Sequence, residues 1–205
     1  TPDDLYAFHD RTGTLPKTSA TNMAEHLEFF EKQLEDAEEV IFFTISSQMS
    51  VNNHAANLAA EELENVYVID SANLSTGVGL LVIAAAEMAE QGLSAKEICE
   101  KIEELKPNVS ASFVIDSLEY LHKGGRCSAV AMLGANVLKL KPCIEVNAGD
   151  GGKMGVSKKY RGTLERVLEE YVADRLNGRE DIVTDRIFIT HSGISQERID
   201  MVKDL

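Results

Sequence analysis

The sequence predicts an α/β fold, because amphipathic helical segments alternate with short apolar strands through its first half. The strands at 40–45 and 66–69 are continuously apolar, which is typical of parallel strands covered on both faces. Ser46 directly follows the first of these strands, and Ser71 follows the second after Asp70. Since ligands of open α/β sheets bind at the carboxyl ends of the strands, these residues mark the first place to search for a site.

The helices of the first half are predicted from spacing and from capping residues. Residues 22–36 place Met23, Leu27 and Phe30 at helical spacing, and Thr21 or Asn22 can cap this helix in a capping box with Glu25. The remaining helices are predicted at 54–64, 80–91 and 95–105, the last of them capped by Ser94.

The sequence changes character at Lys106-Pro107-Asn108, where we place a domain boundary. We expect a Rossmann-like parallel-sheet domain over 1–106, which lacks its first strand, and an α+β domain over 107–205, truncated at its C-terminus. The turn Gly149-Asp150-Gly151-Gly152 predicts a β-hairpin. The elements expected in the second domain are strands at 109–115, 142–147, 152–160 and 186–190, a helical turn at 117–122, and helices at 129–138, 163–176 and from 196 onward.

Composition excludes several classes of protein. The net charge is −14, with 34 acidic and 20 basic residues. This charge argues against binding to nucleic acids and against binding to an anionic membrane surface. The sequence contains neither a signal peptide nor about 18 consecutive apolar residues, so we expect a cytoplasmic protein without stable membrane insertion. The three cysteines lack CxxC spacing and the histidines lack paired spacing, so no metal site is predicted.

Three polar clusters are candidates for ligand binding. Ser46, Ser47 and Ser50 follow the strand at 40–45, and the residue pair Thr18-Ser19 precedes a helix N-terminus, where backbone N–H groups can hold a carboxylate or a phosphate. His191 ends the strand predicted at 186–190. Serines after strands are also ordinary turn residues, and a lone histidine is often structural, so both interpretations stay open at this point.

Two arginines are candidates for binding an anion. Arg126 follows Lys123-Gly124-Gly125, and Arg161 follows Tyr160. Each arginine is equally consistent with a solvated surface side chain. The sequence lacks a GxSxG nucleophile elbow, a Walker A loop and a GxGxxG fingerprint, so it contains none of these signatures of catalysis or nucleotide binding.

These segments occur in the order of the motifs of the DegV family, which the chain resembles over nearly its whole length. The most specific stretch is Leu118–Arg126, Leu-Glu-Tyr-Leu-His-Lys-Gly-Gly-Arg. The other matching segments are Leu15-Pro16-Lys17-Thr18-Ser19, Ile45–Ser50, Val68–Ser71, Ser75–Gly79, Leu140-Lys141-Pro142 and Lys159–Gly162.

The resemblance implies a bacterial lipid carrier of two domains. Such a protein holds one long-chain fatty acid, such as palmitate or oleate, in a tunnel between the domains and presents the carboxylate to a separate fatty acid kinase. The product is an acyl phosphate for lipid synthesis, and the carrier itself has neither a cofactor nor a catalytic centre. The resemblance assigns carboxylate binding to Thr18 and Ser50, with Ser19, Ser46, Ser47 and His191 beside them. Arginines of the family engage the kinase, and Arg126 and Arg161 are candidates for this contact or for binding an anion.

The chain departs from the family pattern in two loops. Ala20-Thr21 replaces Gln-Pro after the first hydroxyl pair, and Val51-Asn52-Asn53 replaces Gly-Thr-Tyr after the second serine. Two alternatives to the carrier are a phosphotransferase or hydrolase that uses His191, and a ligand-free interaction module in which the loop at 51–53 closes the pocket.

Overall fold

The computed structural model describes residues 1–124 and 140–205. The helix predicted at 129–138 therefore lies outside the described residues. The described helices are α1 (Pro2–Thr12), α2 (Met23–Leu34), α3 (Asn52–Ala60), α4 (Thr76–Glu90), α5 (Ala95–Leu105), α6 (Glu119–Lys123), α7 (Leu164–Leu176) and α8 (Gln196–Asp204). The described strands are β1 (Val40–Thr44), β2 (Val66–Asp70), β3 (Ala111–Val114), β4 (Lys141–Asn147) and β5 (Lys153–Tyr160).

Contacts divide the chain into two compact units. The first unit comprises Ser19–Ala111 and Glu145–Met154, and the second comprises Thr1–Thr18, Ser112–Ile144 and Gly155–Leu205. This division differs from the predicted ranges 1–106 and 107–205, because α1 clusters with residues after Ser112 and the tip of the β4–β5 hairpin clusters with the first unit. The predicted domain ranges stay a prediction.

The first unit has the predicted α/β architecture. β1 and β2 pair in parallel, with Val40 opposite Val66 and Thr44 opposite Asp70. Both strands therefore end at the same edge of the sheet, which fixes where the two following segments begin.

Helices cover both faces of this sheet. Phe30 of α2 and Ala56 of α3 pack with Phe42 on one face, while Leu81 of α4 and Ile102 of α5 pack with Phe43 on the other. Neighbouring strand residues point to opposite faces, so both faces of a continuous apolar strand can be buried. The fold class predicted from the apolar runs is confirmed.

Side-chain caps begin several helices as the sequence predicts. Asn22 caps α2 in a capping box with Glu25, and Ser94 caps α5 in the same way with Glu97. α1 begins with a third capping box, between Thr1 and Asp4, and the sequence analysis missed this helix. Its capping signal was present, but the helix buries only His9, so it lacks the apolar stripe on which the prediction depended.

The predicted strand at 186–190 is wrong. These residues belong to no assigned strand, and the side chains of Ile187, Phe188 and Ile189 are exposed. A strand needs a neighbour to accept and donate its backbone hydrogen bonds, and the three-stranded sheet consists of β3, β4 and β5 in that order. His191 therefore follows a segment that is not assigned to a strand.

α4 begins at Thr76 instead of the predicted residue 80. The prediction started the helix too late because glycines such as those of its first turn are typical of a loop.

The predicted hairpin is confirmed, since β4 and β5 are neighbours in the sheet. None of the helices in 1–124 and 140–205 combines the length and the apolar composition needed to cross a membrane.

A polar cluster stabilises the second unit beside its core of Cys143, Tyr160 and Val167. The buried Tyr160 donates a 2.6 Å hydrogen bond to the Asp174 carboxylate, to which Lys158 also donates at 2.5 Å. The hydrogen bonds from Lys158 and Tyr160 lower the pKa of Asp174, while burial raises the pKa of Tyr160. The cluster therefore favours the charged carboxylate in the folded state.

Asp174→Asn should lower the free energy of unfolding at pH 7 by about 1 kcal/mol, because two hydrogen bonds to a charged group are weakened. A depressed carboxyl pKa contributes stability that is present above the pKa of the unfolded chain and is lost as the pH falls through the folded value. The difference between wild type and variant should therefore shrink between pH 7 and pH 3. Urea denaturation at both pH values measures it.

The control for this experiment is Asp36→Asn, which makes the same change at an exposed carboxyl. It should change stability by less than about 0.5 kcal/mol at either pH. An equal loss for Asp174→Asn at pH 7 and pH 3 would contradict the assigned charge interaction.

Candidate functional site

The candidate site lies in the first unit, at the edge where β1 and β2 end. The parallel register places Thr44 beside Asp70, so the segments after both strands leave the sheet at this edge. The three predicted serines Ser46, Ser47 and Ser50 all lie in the segment between β1 and α3. The structure thus brings these three together, and their hydrogen bonds distinguish their roles.

Ser46 is a buried structural residue. Its side chain is 0% exposed, and its hydroxyl donates to the Gly151 carbonyl at 2.9 Å and accepts from the Gln48 N–H at 3.1 Å. Its own N–H donates to the Asn73 carbonyl at 2.8 Å. The hydroxyl of Ser46 is therefore committed to joining the end of β1 to the β4–β5 turn.

Ser47 is exposed but lies next to a negative charge. Its N–H faces both carboxylate oxygens of Asp70 at 3.2 Å each, and Asp70 also accepts from the Ala72 N–H at 2.9 Å. Asp70 thereby joins the segments that follow the two strands. An anionic ligand near Ser47 would meet the charge of Asp70, which makes Ser47 the less favourable partner for a carboxylate.

Ser50 has the most favourable geometry for an anion. Its half-buried hydroxyl oxygen accepts the Asn52 N–H at 3.1 Å, and within residues 1–124 and 140–205 no group accepts its hydrogen. Ser50 lies two residues before the start of α3, whose N-terminal N–H groups create the positive end of the helix dipole. The oxygen is thus fixed by the backbone while its hydrogen is available to a ligand.

The loop that departs from the family pattern forms the beginning of α3. Asn53 donates from Nδ2 to the buried hydroxyl of Thr44 at 2.9 Å, which joins α3 to the end of β1. Val51 is 72% exposed. Asparagine at 53 therefore supports the loop through a polar contact with the strand end.

Asn73 supports the same edge from the other strand, although the sequence analysis did not single it out. The side chain is 0% exposed, donates to the Val109 carbonyl at 3.0 Å and accepts the Leu74 N–H at 3.0 Å. Gly77 packs directly against it, because a Cβ at that position would lie 2.0 Å from the Asn73 oxygen. A buried amide with both functions satisfied rigidifies the loop that begins α4.

The turn between β4 and β5 approaches the end of β2 closely. Gly152 has a φ of +79°, and a Cβ there would lie 2.4 Å from the carbonyl group of Ala72. Ala72 itself has a φ of 48°, which is unusual for a residue with a side chain. Glycine at 152 satisfies both the backbone conformation and the close approach.

The other predicted site residues lie elsewhere or are not described. Ser19 lies in the first unit, whereas Thr18, Arg161 and His191 belong to the second unit, where Arg161 and His191 are exposed. Arg126 lies outside the described residues. His191 contributes to a cavity of about 190 Å³ within the second unit, which is lined by Pro2, Asp3, His191, Gly193 and Ile194.

Within residues 1–124 and 140–205, no group of three or more His, Cys, Asp or Glu side chains is placed to hold a metal ion. The carboxylates and hydroxyls at the end of β1 and β2 are instead engaged with backbone N–H groups. The edge therefore offers hydrogen-bond donors to a ligand from Ser50 and the first turn of α3.

Comparison with known proteins identifies the family. The model of the family described as "Uncharacterised protein, DegV family" matches residues 1–205. The chain belongs to the DegV family. Among similar curated proteins, a DegV domain-containing protein of Clostridium perfringens is 32% identical over 195 residues, covering 91% of this chain and 66% of the relative.

Other relatives in the family are named for a ligand. A fatty acid-binding protein of Thermotoga maritima is 30% identical over 187 residues, covering 86% of this chain and 64% of the relative. A solved structure described as showing fatty acid binding of a DegV family protein from Thermus thermophilus has a TM-score of 0.72 at 28% identity, covering 85% of this chain and 61% of that one. This DegV chain spans 60–66% of the length of the first curated relatives it matches.

Gly152→Ala should destabilise the protein by about 2 kcal/mol or more, because the new Cβ requires an unfavourable φ and meets the Ala72 backbone. Urea denaturation measures the loss. The matched control is Gly155→Ala, where a Cβ has no neighbour within 4 Å. Equal stability of the two variants would show that the turn does not need glycine at 152.

Proposed function

We propose that this DegV protein binds one long-chain fatty acid and holds its carboxylate with Ser50. The observation that carries the proposal is its similarity to relatives that are themselves named for fatty acid binding, from Thermotoga maritima and Thermus thermophilus. A structure of a stearic acid-binding protein from Eubacterium ventriosum, at 28% identity and a TM-score of 0.69, supports the same ligand class.

The chemistry of Ser50 suits a fatty-acid carboxylate. Burying a carboxylate without partners is costly, so its oxygens need donors. The hydroxyl hydrogen of Ser50 and the N-terminal end of α3 supply donors and a favourable dipole. The acyl chain contributes most of the binding free energy, since each buried CH₂ contributes about 0.8 kcal/mol.

The remaining predicted residues enter the proposal with different roles. Thr18, Ser19 and His191 are proposed as further donors to the carboxylate, as the family resemblance implies. Ser46 is proposed as a support of the site, because its hydroxyl is already engaged with Gly151 and Gln48. Ser47 is proposed as a secondary contact because of the neighbouring Asp70.

We further propose that a separate fatty acid kinase phosphorylates the bound acid. In that reaction a carboxylate oxygen attacks the γ-phosphorus of ATP, the bond to the bridging oxygen of ADP breaks, and an acyl phosphate forms. Neutral hydroxyl donors leave the carboxylate its charge and its nucleophilic oxygen, whereas a bidentate arginine would occupy both oxygens. Arg161 and Arg126 are the proposed contacts for the kinase.

The alternative of an enzyme that uses His191 has one supporting observation, the cavity that this histidine shares with Asp3. In the described part of the chain, however, no hydrogen bond joins His191 to a hydroxyl group or to a carboxylate. Activation of a serine or threonine nucleophile by a histidine base uses such a pair. Turnover of a phosphoester or acyl ester that His191→Ala abolishes would establish this alternative over the carrier.

Ser50→Ala should weaken the binding of palmitate about tenfold or more, because a hydrogen bond to a charged group contributes about 1.5–3 kcal/mol. Isothermal titration calorimetry with delipidated protein measures the affinity, and thermal unfolding verifies the fold. The matched control is Ser110→Ala, an exposed serine of the same unit. Unchanged affinity in Ser50→Ala would remove this residue from the carboxylate site.

Protein loaded with palmitate should yield acyl phosphate when it is incubated with a bacterial fatty acid kinase and ATP, and Ser50→Ala should yield less at equal protein concentration. Hydroxylamine trapping as the hydroxamate detects the product. Unloaded protein and a reaction without kinase serve as controls. Phosphorylation of free palmitate at the same rate would contradict presentation by the carrier.

A further inference from the structure

We propose that His26 is a positioning residue that orients Ser50 through Asn52. This inference rests on the proposed function, because it assigns a role in binding the carboxylate. His26 lies on α2, outside every motif that the sequence analysis singled out. His26 is not one of the residues proposed to contact the ligand, and it acts through the beginning of α3.

A hydrogen bond joins the histidine to the loop. His26 is 4% exposed, and its Nε2 lies 3.1 Å from Asn52 Oδ1. Because Oδ1 is an amide carbonyl oxygen, Nε2 carries the hydrogen and donates it. The bond therefore fixes both the imidazole tautomer and the side-chain orientation of Asn52.

The imidazole is held in an aromatic environment. It stacks on Phe30 with ring centroids 5.7 Å apart and meets Phe42 edge-on at 5.4 Å. Phe30 is 0% exposed and belongs to the core on that face of the sheet. The core therefore holds His26 in place, and its hydrogen bond joins Asn52 to that core.

Asn52 transmits this orientation to Ser50. Its backbone N–H donates to the Ser50 hydroxyl oxygen at 3.1 Å, which holds that oxygen in place and leaves the serine hydrogen for another acceptor. Val51, the residue before α3, provides no side-chain cap for the helix. The Ser50 hydroxyl takes that capping place, and its geometry depends on where Asn52 is held.

The packing and the hydrogen bonding of His26 can be separated by two substitutions. His26→Phe keeps an aromatic ring between Phe30 and Phe42 but leaves Asn52 Oδ1 without its donor. His26→Gln keeps an amide donor for Asn52 but removes the ring. If His26 had a structural role alone, His26→Gln would lower both stability and palmitate affinity more than His26→Phe does.

The experiment measures palmitate affinity by calorimetry and the melting temperature for both variants. His26→Phe should weaken binding about threefold to tenfold and lower the melting temperature less than His26→Gln does, because it keeps the ring packing and loses one neutral hydrogen bond. His26→Gln should lower the melting temperature and keep affinity within about twofold of wild type. The control is His54→Gln, which replaces an exposed histidine of α3.

A double-mutant cycle supplies the second measurement. Asn52→Ala should weaken binding as much as His26→Phe does, and combining the two should add little, because both remove the same bond. Full additivity, or wild-type affinity in His26→Phe, would overturn the role of His26. Failure of the proposed function is distinguishable, since wild-type protein would then not bind palmitate and Ser50→Ala would change nothing.

Discussion

The candidate site depends on the parallel pairing of β1 with β2. With Thr44 opposite Asp70, both strands end at one edge, and the two segments that follow them meet there. A shift of this register by one residue would turn Phe42 and Phe43 to the opposite faces and would separate Ser47 from Asp70. The apolar residues that bury the strands therefore also determine where the serines lie.

Buried polar groups then convert this edge into a fixed surface. Ser46, Asn73 and Thr44 are each almost fully buried, and each is hydrogen-bonded to a carbonyl, an N–H group or an amide. Leaving such a group without a partner costs about 1–3 kcal/mol, so the loops at this edge have few alternative conformations of similar energy. Rigidity of this kind favours binding, because a ligand does not have to order the loop.

The sequence predicts the helices and strands of the first unit well, since both caps and apolar periodicity are local signals. The capping box of Asn22 with Glu25 and the continuous run Val40–Thr44 are the clearest examples. The error at 186–190 has the same origin. Ile187, Phe188 and Ile189 have high β-propensity, but a strand also requires a partner, and pairing is not visible in a local pattern.

The serines of the site were predicted from their position after a strand, but their different roles were not. Ser50 accepts the N–H of its near neighbour Asn52 and keeps its own donor. Ser46 supports the turn at Gly151 through a contact between distant segments, which a local pattern does not show. His26, Asp70 and Asn73 were missed for the same reason. Only Asp70 carried a local signal, as an acidic residue at the end of an apolar strand.

Native mass spectrometry of the protein purified from a bacterial host, combined with organic extraction, tests the central claim most directly. The account predicts about one long-chain fatty acid per chain, released on denaturation and regained when palmitate is added. Protein that is purified empty and also fails to take up added palmitate or oleate would contradict it.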